Sequence, residues 1–265
     1  MNGERIASAR NPLVQELARL KTARGRKETG LMPVEGEKML LEALRAGLRP
    51  EVLLYDEERA GALAGLIAMF RCDAHPVPAG VLARCADTVT PQGCLAAFHI
   101  PPETAPEALG GRIVALDGVQ DPGNCGTIWR TADAAGFTGI LFGGGCADPM
   151  SGKVQRATMG SGFRLPYARA DRLSGALRVL KESGRRILVS ALGEKDVYRR
   201  EARPGPFVLV IGSEARGVGE EVRDLADERL MLPMRGGAES LNAAVAAGVL
   251  MYELTRPGGQ NSAGE

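Results

Sequence analysis

Aromatic residues make up only 4% of this 265-residue chain. A surface that reads nucleic acid by stacking several bases on rings is therefore a poor fit. Histidine is scarcer still, with only His75 and His99. A Ser-His-Asp triad or a histidine-rich metal centre has almost nothing to be built from. The five cysteines, at 72, 85, 94, 125 and 146, contain no C-x-x-C and form an odd set. That pattern argues against a disulfide framework or zinc site, so no metal is expected. The longest apolar stretch, Leu241 to Leu250, is too short and too rich in alanine to span a bilayer. The N-terminal residues lack the apolar core of a signal peptide. The expectation is a soluble cytoplasmic protein with reduced thiols and no membrane partner.

Net charge is also nearly absent, at +1, but it is unevenly placed. Residues 1–27 hold Arg5, Arg10, Arg19, Lys21, Arg24, Arg26 and Lys27 against Glu4 and Glu16, while the rest of the chain is mildly acidic. Charge alone leaves two readings open: an arm for a polyanionic partner, or a solvated polar N-terminus. Glycine (35) and proline (16) are plentiful. Tight turns and close backbone approaches should therefore matter more than aromatic platforms.

Pro101, Pro102 and Pro106, followed by Gly110 and Gly111, read as a linker over 101–110. Residues 1–100 before it alternate short strands (31–34, 52–55, 95–98) with helices at 13–20 and 37–46, which indicates a small α/β domain. Beyond it, apolar runs at 112–116, 139–142, 187–190 and 207–211 alternate with helices near 127–135 and 241–254. Continuous apolar strands separated by helices indicate an α/β domain over 111–258, with a mostly parallel sheet flanked by helices. The polar, glycine-rich tail 259–265 reads as disordered.

Common nucleotide motifs fail. No G-x-G-x-x-G of Rossmann spacing, no P-loop, no G-x-S-x-G and no H-E-x-x-H is present. Three glycine-rich loops nevertheless follow strands, and ligands bind at the carboxyl ends of parallel strands. The first runs Asp117-Gly118-Val119-Gln120-Asp121-Pro122-Gly123-Asn124-Cys125-Gly126. Asn124 stands where a helix N-cap belongs. On a helix starting near Thr127, Ile128, Trp129, Ala132 and Ala135 share one face and Arg130 lies off it. Helical side chains lean toward the N-terminus, so Arg130 can point back toward Asn124. A guanidinium beside a helix N-terminus suits a phosphate, although an ordinary cap and a solvated arginine would look the same. The second loop is Gly212-Ser213-Glu214-Ala215-Arg216-Gly217-Val218-Gly219, in which Glu214 and Arg216 could form a surface ion pair. The third is Leu232-Pro233-Met234-Arg235-Gly236-Gly237-Ala238-Glu239-Ser240-Leu241-Asn242, with Ser240 read as the cap of the last helix.

In this order and at these separations, the loops resemble the SpoU/TrmH family of RNA ribose 2′-O-methyltransferases of the SPOUT superfamily. Asn124 to Ala132 match the family's first motif. Ile211-Gly212-Ser213-Glu214 with Gly217 match the second, and Leu232-Pro233-Met234 with Ser240-Leu241-Asn242 the third. Residues 1–100, through Arg10 to Val14 and Val34 to Lys38, resemble the L30e-like RNA-binding domain that many members carry. The resemblance implies a trefoil knot, a bound S-adenosyl-L-methionine and a homodimer with the active site at or near the subunit interface. General topology rules would not have given the knot.

Carried over by motif, Arg130 and Asn124 are catalytic candidates. Glu214, Ser240 and Asn242 would shape the site or bind RNA. Gly212, Leu232 and Leu241 would contact the cofactor, largely through backbone groups. The implied reaction is displacement of a sulfonium methyl by a ribose 2′-hydroxyl in RNA, with 23S ribosomal RNA as the expected substrate. Arginine is an awkward base, since its pKa exceeds about 12. Arg130 is therefore expected to clamp a phosphate while a phosphate oxygen or water takes the proton. Trp129 stands where the family usually has an aliphatic residue, which predicts a local packing difference. The alternatives are a tRNA 2′-O-methyltransferase, a non-catalytic RNA-binding protein on the same scaffold, or, in a third class, a nucleotide-dependent oxidoreductase. A truncation starting near Gly111 is expected to keep cofactor binding and lose RNA affinity.

Overall fold

The computed structural model describes residues 3–200 and 204–256; the tail expected to be disordered lies outside the described residues. The chain forms two compact units. One contains residues 1–102 and 148–164, the other 103–147 and 165–265.

The first unit opens with α1 (Pro12–Arg19). Asn11 Oδ1 accepts the Leu13 N–H at 2.9 Å, and Pro12 supplies a preset first-turn φ. Then come α2 (Ala23–Thr29), β1 (Leu31–Glu35), α3 (Glu37–Arg45), β2 (Pro50–Asp56), α4 (Ala60–Ile67), β3 (Asp73–Val77), α5 (Ala79–Cys85) and β4 (Cys94–His99). The sheet order is β1-β4-β2-β3, with β4 antiparallel to both neighbours and β2 parallel to β3. Val14 and Leu17 of α1 and Val81, Leu82 and Cys85 of α5 form one core with Leu54, Leu95 and Ala97 of the sheet.

The basic N-terminal stretch is not a free arm. Arg5 pairs with Glu57 at 2.5 Å, Arg19 and Arg24 share Glu28, and the Lys21 ammonium donates to the Arg84 carbonyl at 2.7 Å. Arg26 is buried, donating to the Leu20 carbonyl at 2.7 Å and to Asp148. Arg10 and Lys27 remain exposed without an ion pair among the described residues.

The second unit begins with β5 (Arg112–Asp117), α6 (Pro122–Ala134) and β6 (Gly139–Gly143). The chain then supplies residues 148–164, including α7 (Gly152–Thr158), to the first unit. There α7 lies against β1, Arg156 pairs with Asp87 at 3.1 Å and Arg164 with Glu42 at 2.7 Å. Residues 148–164 lie inside the second domain expected over 111–258, yet they pack with the first unit. A fragment starting near Gly111 would strip residues 148–164 of these partners, so it is not a clean test of the second unit.

The chain returns with β7 (Tyr167–Ala170), α8 (Leu173–Glu182), β8 (Arg186–Asp196), β9 (Phe207–Gly212), α9 (Glu220–Arg223), β10 (Glu228–Met231) and α10 (Ala243–Thr255). The six strands lie in the order β10-β8-β9-β5-β6-β7, and every neighbouring pair is parallel. Residues of β6 and β9 are buried throughout, as strands covered on both faces require. Ile113, Ala115, Val208 and Val210 join the α8 side chains Leu173, Leu177 and Leu180 in one core. On α6, Trp129 is fully buried. Its ring meets Phe142 edge-on at 5.3 Å, and its indole N–H donates to the Leu165 carbonyl at 3.2 Å. The larger ring is thus absorbed with its one polar atom satisfied. Helix α10 packs on α6 and β9.

Candidate active site

All three loops singled out in the sequence leave the carboxyl ends of strands in the second unit: β5, β9 and β10. A parallel sheet places those ends along one edge, which is why residues far apart in sequence meet there.

The first loop turns into α6 earlier than expected. Asp121, not Asn124, caps the helix, its Oδ1 accepting the Asn124 N–H at 2.7 Å, with Pro122 in the first turn. Asn124 therefore sits inside the first turn, and its side chain is free to reach outward. The last helix is also shifted. Its cap is Asn242, whose Oδ1 accepts from Ala244 N at 2.9 Å and Val245 N at 3.3 Å. Ser240, the expected cap, is exposed and makes no side-chain hydrogen bond among the described residues.

These caps fix the orientation of an amide chain. Because Asn242 Oδ1 faces helix N–H groups, its Nδ2 must donate, and it does so to Asn124 Oδ1 at 3.0 Å. Asn124 Nδ2 then donates to the Glu214 carboxylate. One continuous path runs from the α10 N-terminus through loop three and loop one to loop two. Glu214 is engaged there, and no ion pair with Arg216 is formed among the described residues.

Loop two is folded back on itself. Ser213 and Gly217 bridge, with Gly217 N–H donating to the Ser213 carbonyl at 2.7 Å. A Cβ on Gly212 would lie 2.2 Å from the Gly217 carbonyl carbon and 2.4 Å from Val218 N, so only glycine fits beneath the returning backbone. Beside this loop lies a cavity of about 810 Å³. It is lined by residues 212–218 of loop two, by the apolar residues Ile211, Leu232, Leu241 and Leu250, and by polar or charged residues that include Glu214, Glu220, Arg223, Asp224, Ser240 and Asn242. Apolar and polar or charged groups share the walls about equally, which suits a small molecule with both an apolar and a polar part.

Of the predicted site residues, Gly212, Glu214, Leu232, Ser240, Leu241 and Asn242 border this cavity, and Asn124 joins them by hydrogen bonds. Arg130 does not border it. It is exposed on α6 and makes no side-chain hydrogen bond or ion pair among the described residues. Ser190 and Ala191, midway along β8, also line the cavity and escaped the sequence reading. No glycine-rich turn marks them; their only signal is position on a neighbouring strand of the same sheet.

Burial holds the thiols near the first loop in the neutral form. Burial pushes Cys125 up to about 12, and its Sγ donates to the Val119 carbonyl at 3.1 Å. Burial likewise raises Cys146. Among the described residues no group of three potential metal ligands occurs, and no helix is long and apolar enough to cross a membrane.

Comparison with known proteins agrees with this geometry. Residues 111–252 match the SpoU rRNA Methylase family, and residues 11–96 the MRM3-like substrate binding domain. The chain is 35% identical to the 23S rRNA (guanosine(2553)-2′-O)-methyltransferase RlmP of Bacillus subtilis, over 95% of this chain and 99% of that protein. An AdoMet-bound rRNA methyltransferase from Sinorhizobium meliloti superposes with a TM-score of 0.84 at 32% identity, covering 96% of this chain and 97% of that one. The SpoU methyltransferase AviRb of Streptomyces viridochromogenes, solved with AdoMet, gives 0.83 at 27% identity, covering 93% and 98%. The caps, the back-folded glycine loop and the amide chain thus lie within the matched stretch, and the chain belongs to the SpoU rRNA methylase family.

Proposed function

We propose that this protein methylates a ribose 2′-hydroxyl of RNA with S-adenosyl-L-methionine as donor, and that its substrate is 23S ribosomal RNA. The observation that carries the reading is the hydrogen-bonded path Asn242–Asn124–Glu214 at the edge of a cavity with both apolar and polar walls. The cavity fits the donor: Ile211, Leu232 and Leu241 offer apolar surface for a purine, and the loop backbone offers N–H and C=O groups for its polar edge. When bound, the donor supplies a methyl already activated on a sulfonium sulfur. The names of the RlmP and Sinorhizobium relatives favour ribosomal RNA over transfer RNA.

The chain's own residues have three tasks. Loops two and three hold the donor. Glu214, Asn124 and Asn242 hold a fixed polar edge on which the target ribose is aligned. Arg130, without a side-chain partner among the described residues, clamps the phosphate beside that ribose. The 2′-oxygen forms the new bond to the methyl carbon as the carbon–sulfur bond breaks toward sulfur. The hydroxyl proton passes to a phosphate oxygen or water, since a guanidinium does not give up its own proton near neutral pH.

The remaining features belong to the same reading. Membership of the SpoU family supports a knotted path in the second unit. Val245, Val249 and Tyr252 form an exposed apolar row along α10, which supports a homodimer formed through that face. Residues 1–100 act as the RNA substrate-binding part, and the protein works in the cytoplasm, where its RNA is made.

The test is direct. The protein is incubated with methyl-labelled donor and ribosomal RNA from a strain lacking the gene, and the product is mapped at nucleotide resolution. A single 2′-O-methyl ribose in 23S RNA is expected. Label confined to a base, or found only in transfer RNA, overturns the reading. Light scattering tests the homodimer, with twice the chain mass expected.

A further inference from the structure

Loop two lines the cavity with residues 212–218, is bridged on itself at Ser213–Gly217, and runs at Gly219 into the start of α9, where the Gly219 carbonyl accepts the Arg223 N–H at 2.9 Å. The Gly219 N–H is held separately, by a different strand. Asp117 is the last residue of β5 and pairs in register with Gly212, the last residue of β9. Its Oδ2 accepts the Gly219 N–H at 2.7 Å. Gly219 closes loop two, and neither it nor Asp117 borders the cavity. The carboxylate thus stands behind the wall. It ties the exit of the loop to the strand that feeds the first loop, which bears Asn124.

We propose that Asp117 is a positioning residue: it sets loop two in the shape that binds the methyl donor, and has no direct part in the methyl transfer. The proposal rests on the reading of the cavity as the donor site. A hydrogen bond between a charged acceptor and a backbone donor is of the stronger kind. Without it, residues 213–219 would sample conformations that do not bind, and donor affinity would fall by the lost fraction.

The experiment measures S-adenosyl-L-methionine binding to the full-length protein by calorimetry, together with steady-state methylation of ribosomal RNA. Asp117→Ala is expected to raise the donor Kd and KM at least tenfold, with kcat at saturating donor within about twofold of wild type. Asp117→Asn keeps an acceptor oxygen for the Gly219 N–H and is expected to bind within about threefold of wild type. Gly219→Pro removes the donor from the other side of the bond. Its φ of −62° already suits proline. This variant should weaken binding as Asp117→Ala does, and the double variant should be no weaker than either single one.

Unchanged affinity in both Asp117→Ala and Gly219→Pro overturns the proposal, as does a fall in kcat without a rise in KM. If Asp117→Ala fails to fold, Asp117→Asn and Gly219→Pro decide the matter alone. Binding near wild type in the first with loss in the second supports the proposal; loss in both, or in neither, overturns it. Failure of the wild-type protein to bind the donor would instead strike the functional reading on which the proposal rests.

Discussion

Within one candidate site, two sets of side chains differ in how the protein treats them. Asn124, Glu214 and Asn242 are tied to one another and to the start of α10. Arg130 and Ser240 are exposed and have no side-chain partner among the described residues. The tied set has already given up its rotational freedom on folding, so it offers a fixed polar edge at no further entropic cost on binding. The free set keeps its hydrogen-bonding capacity open and must be ordered by substrate. On the proposed function, the tied residues shape the site and the free ones meet the RNA.

The largest effect expected is at the free set. Arg130→Ala should lower kcat by more than about a hundredfold, and Arg130→Lys should lose most activity too, because the ammonium lacks the bidentate fork. Donor affinity, read by calorimetry, should stay unchanged in both. Near-wild-type turnover of Arg130→Lys would remove the phosphate clamp from the account.

Next comes the centre of the tied set. Asn124→Ala deletes both bonds that join the three loops and should cut kcat/KM by roughly ten- to a hundredfold. The deletion uncouples Glu214 from Asn242, so Glu214→Gln in that background should have little further effect. Fully additive losses in a double-mutant cycle would show that the path is not a unit.

Smaller, and diagnostic of the contrast itself, are the stabilities. Asn242→Ala removes the α10 cap and should cost about 1 kcal/mol, visible as a thermal midpoint lower by roughly 2–4 °C. Ser240→Ala should leave the midpoint within about 1 °C while lowering turnover, since a substitution away from the packed features of the fold changes stability little. If Ser240→Ala destabilises as much as Asn242→Ala, the division between tied and free residues is wrong.

The smallest effect concerns the thiols. Burial holds Cys85 and Cys94 up to about 11 and Cys125 up to about 12. In the unfolded chain a thiol titrates near 8.5. The stabilising contribution of these groups is complete below that unfolded value and is lost as pH rises toward 11 to 12. At pH 8 the native protein should therefore react slowly with a chromogenic disulfide reagent, and the unfolded chain should react at all five cysteines. Rapid native labelling of Cys125 would show that loop one opens on that timescale.

How much of this could be read in advance depended on the kind of signal. Continuous apolar runs disclosed β5, β6 and β9, because strands covered on both faces have no polar side to confuse the pattern. The short strands β3, β7 and β10 were not recognised. All three lie at sheet edges, are four or five residues long, and carry proline or charged residues that an edge tolerates. The helix at 37 starts where expected, whereas α6 begins at Pro122 and not near Thr127, and α10 at Ala243 and not Leu241. Asp121 and Asn124, like Ser240 and Asn242, are all competent caps, and sequence alone does not choose among neighbours. The +5 excess of residues 1–27 looked like a free arm because Glu28, Glu57 and Asp148, which take up much of it, lie outside that stretch.

The sequence by itself determined the second unit's strand-and-helix alternation, the three glycine-bearing loops and the residue types they carry, since each is written in local composition and spacing. Only the tertiary structure decided that Asn242 and not Ser240 caps the last helix, that Asn124 lies between Glu214 and Asn242, and that residues 148–164 belong with the first unit. Those outcomes depend on which distant groups arrive within hydrogen-bonding reach, about 3 Å, once the chain has folded. No local pattern encodes that distance.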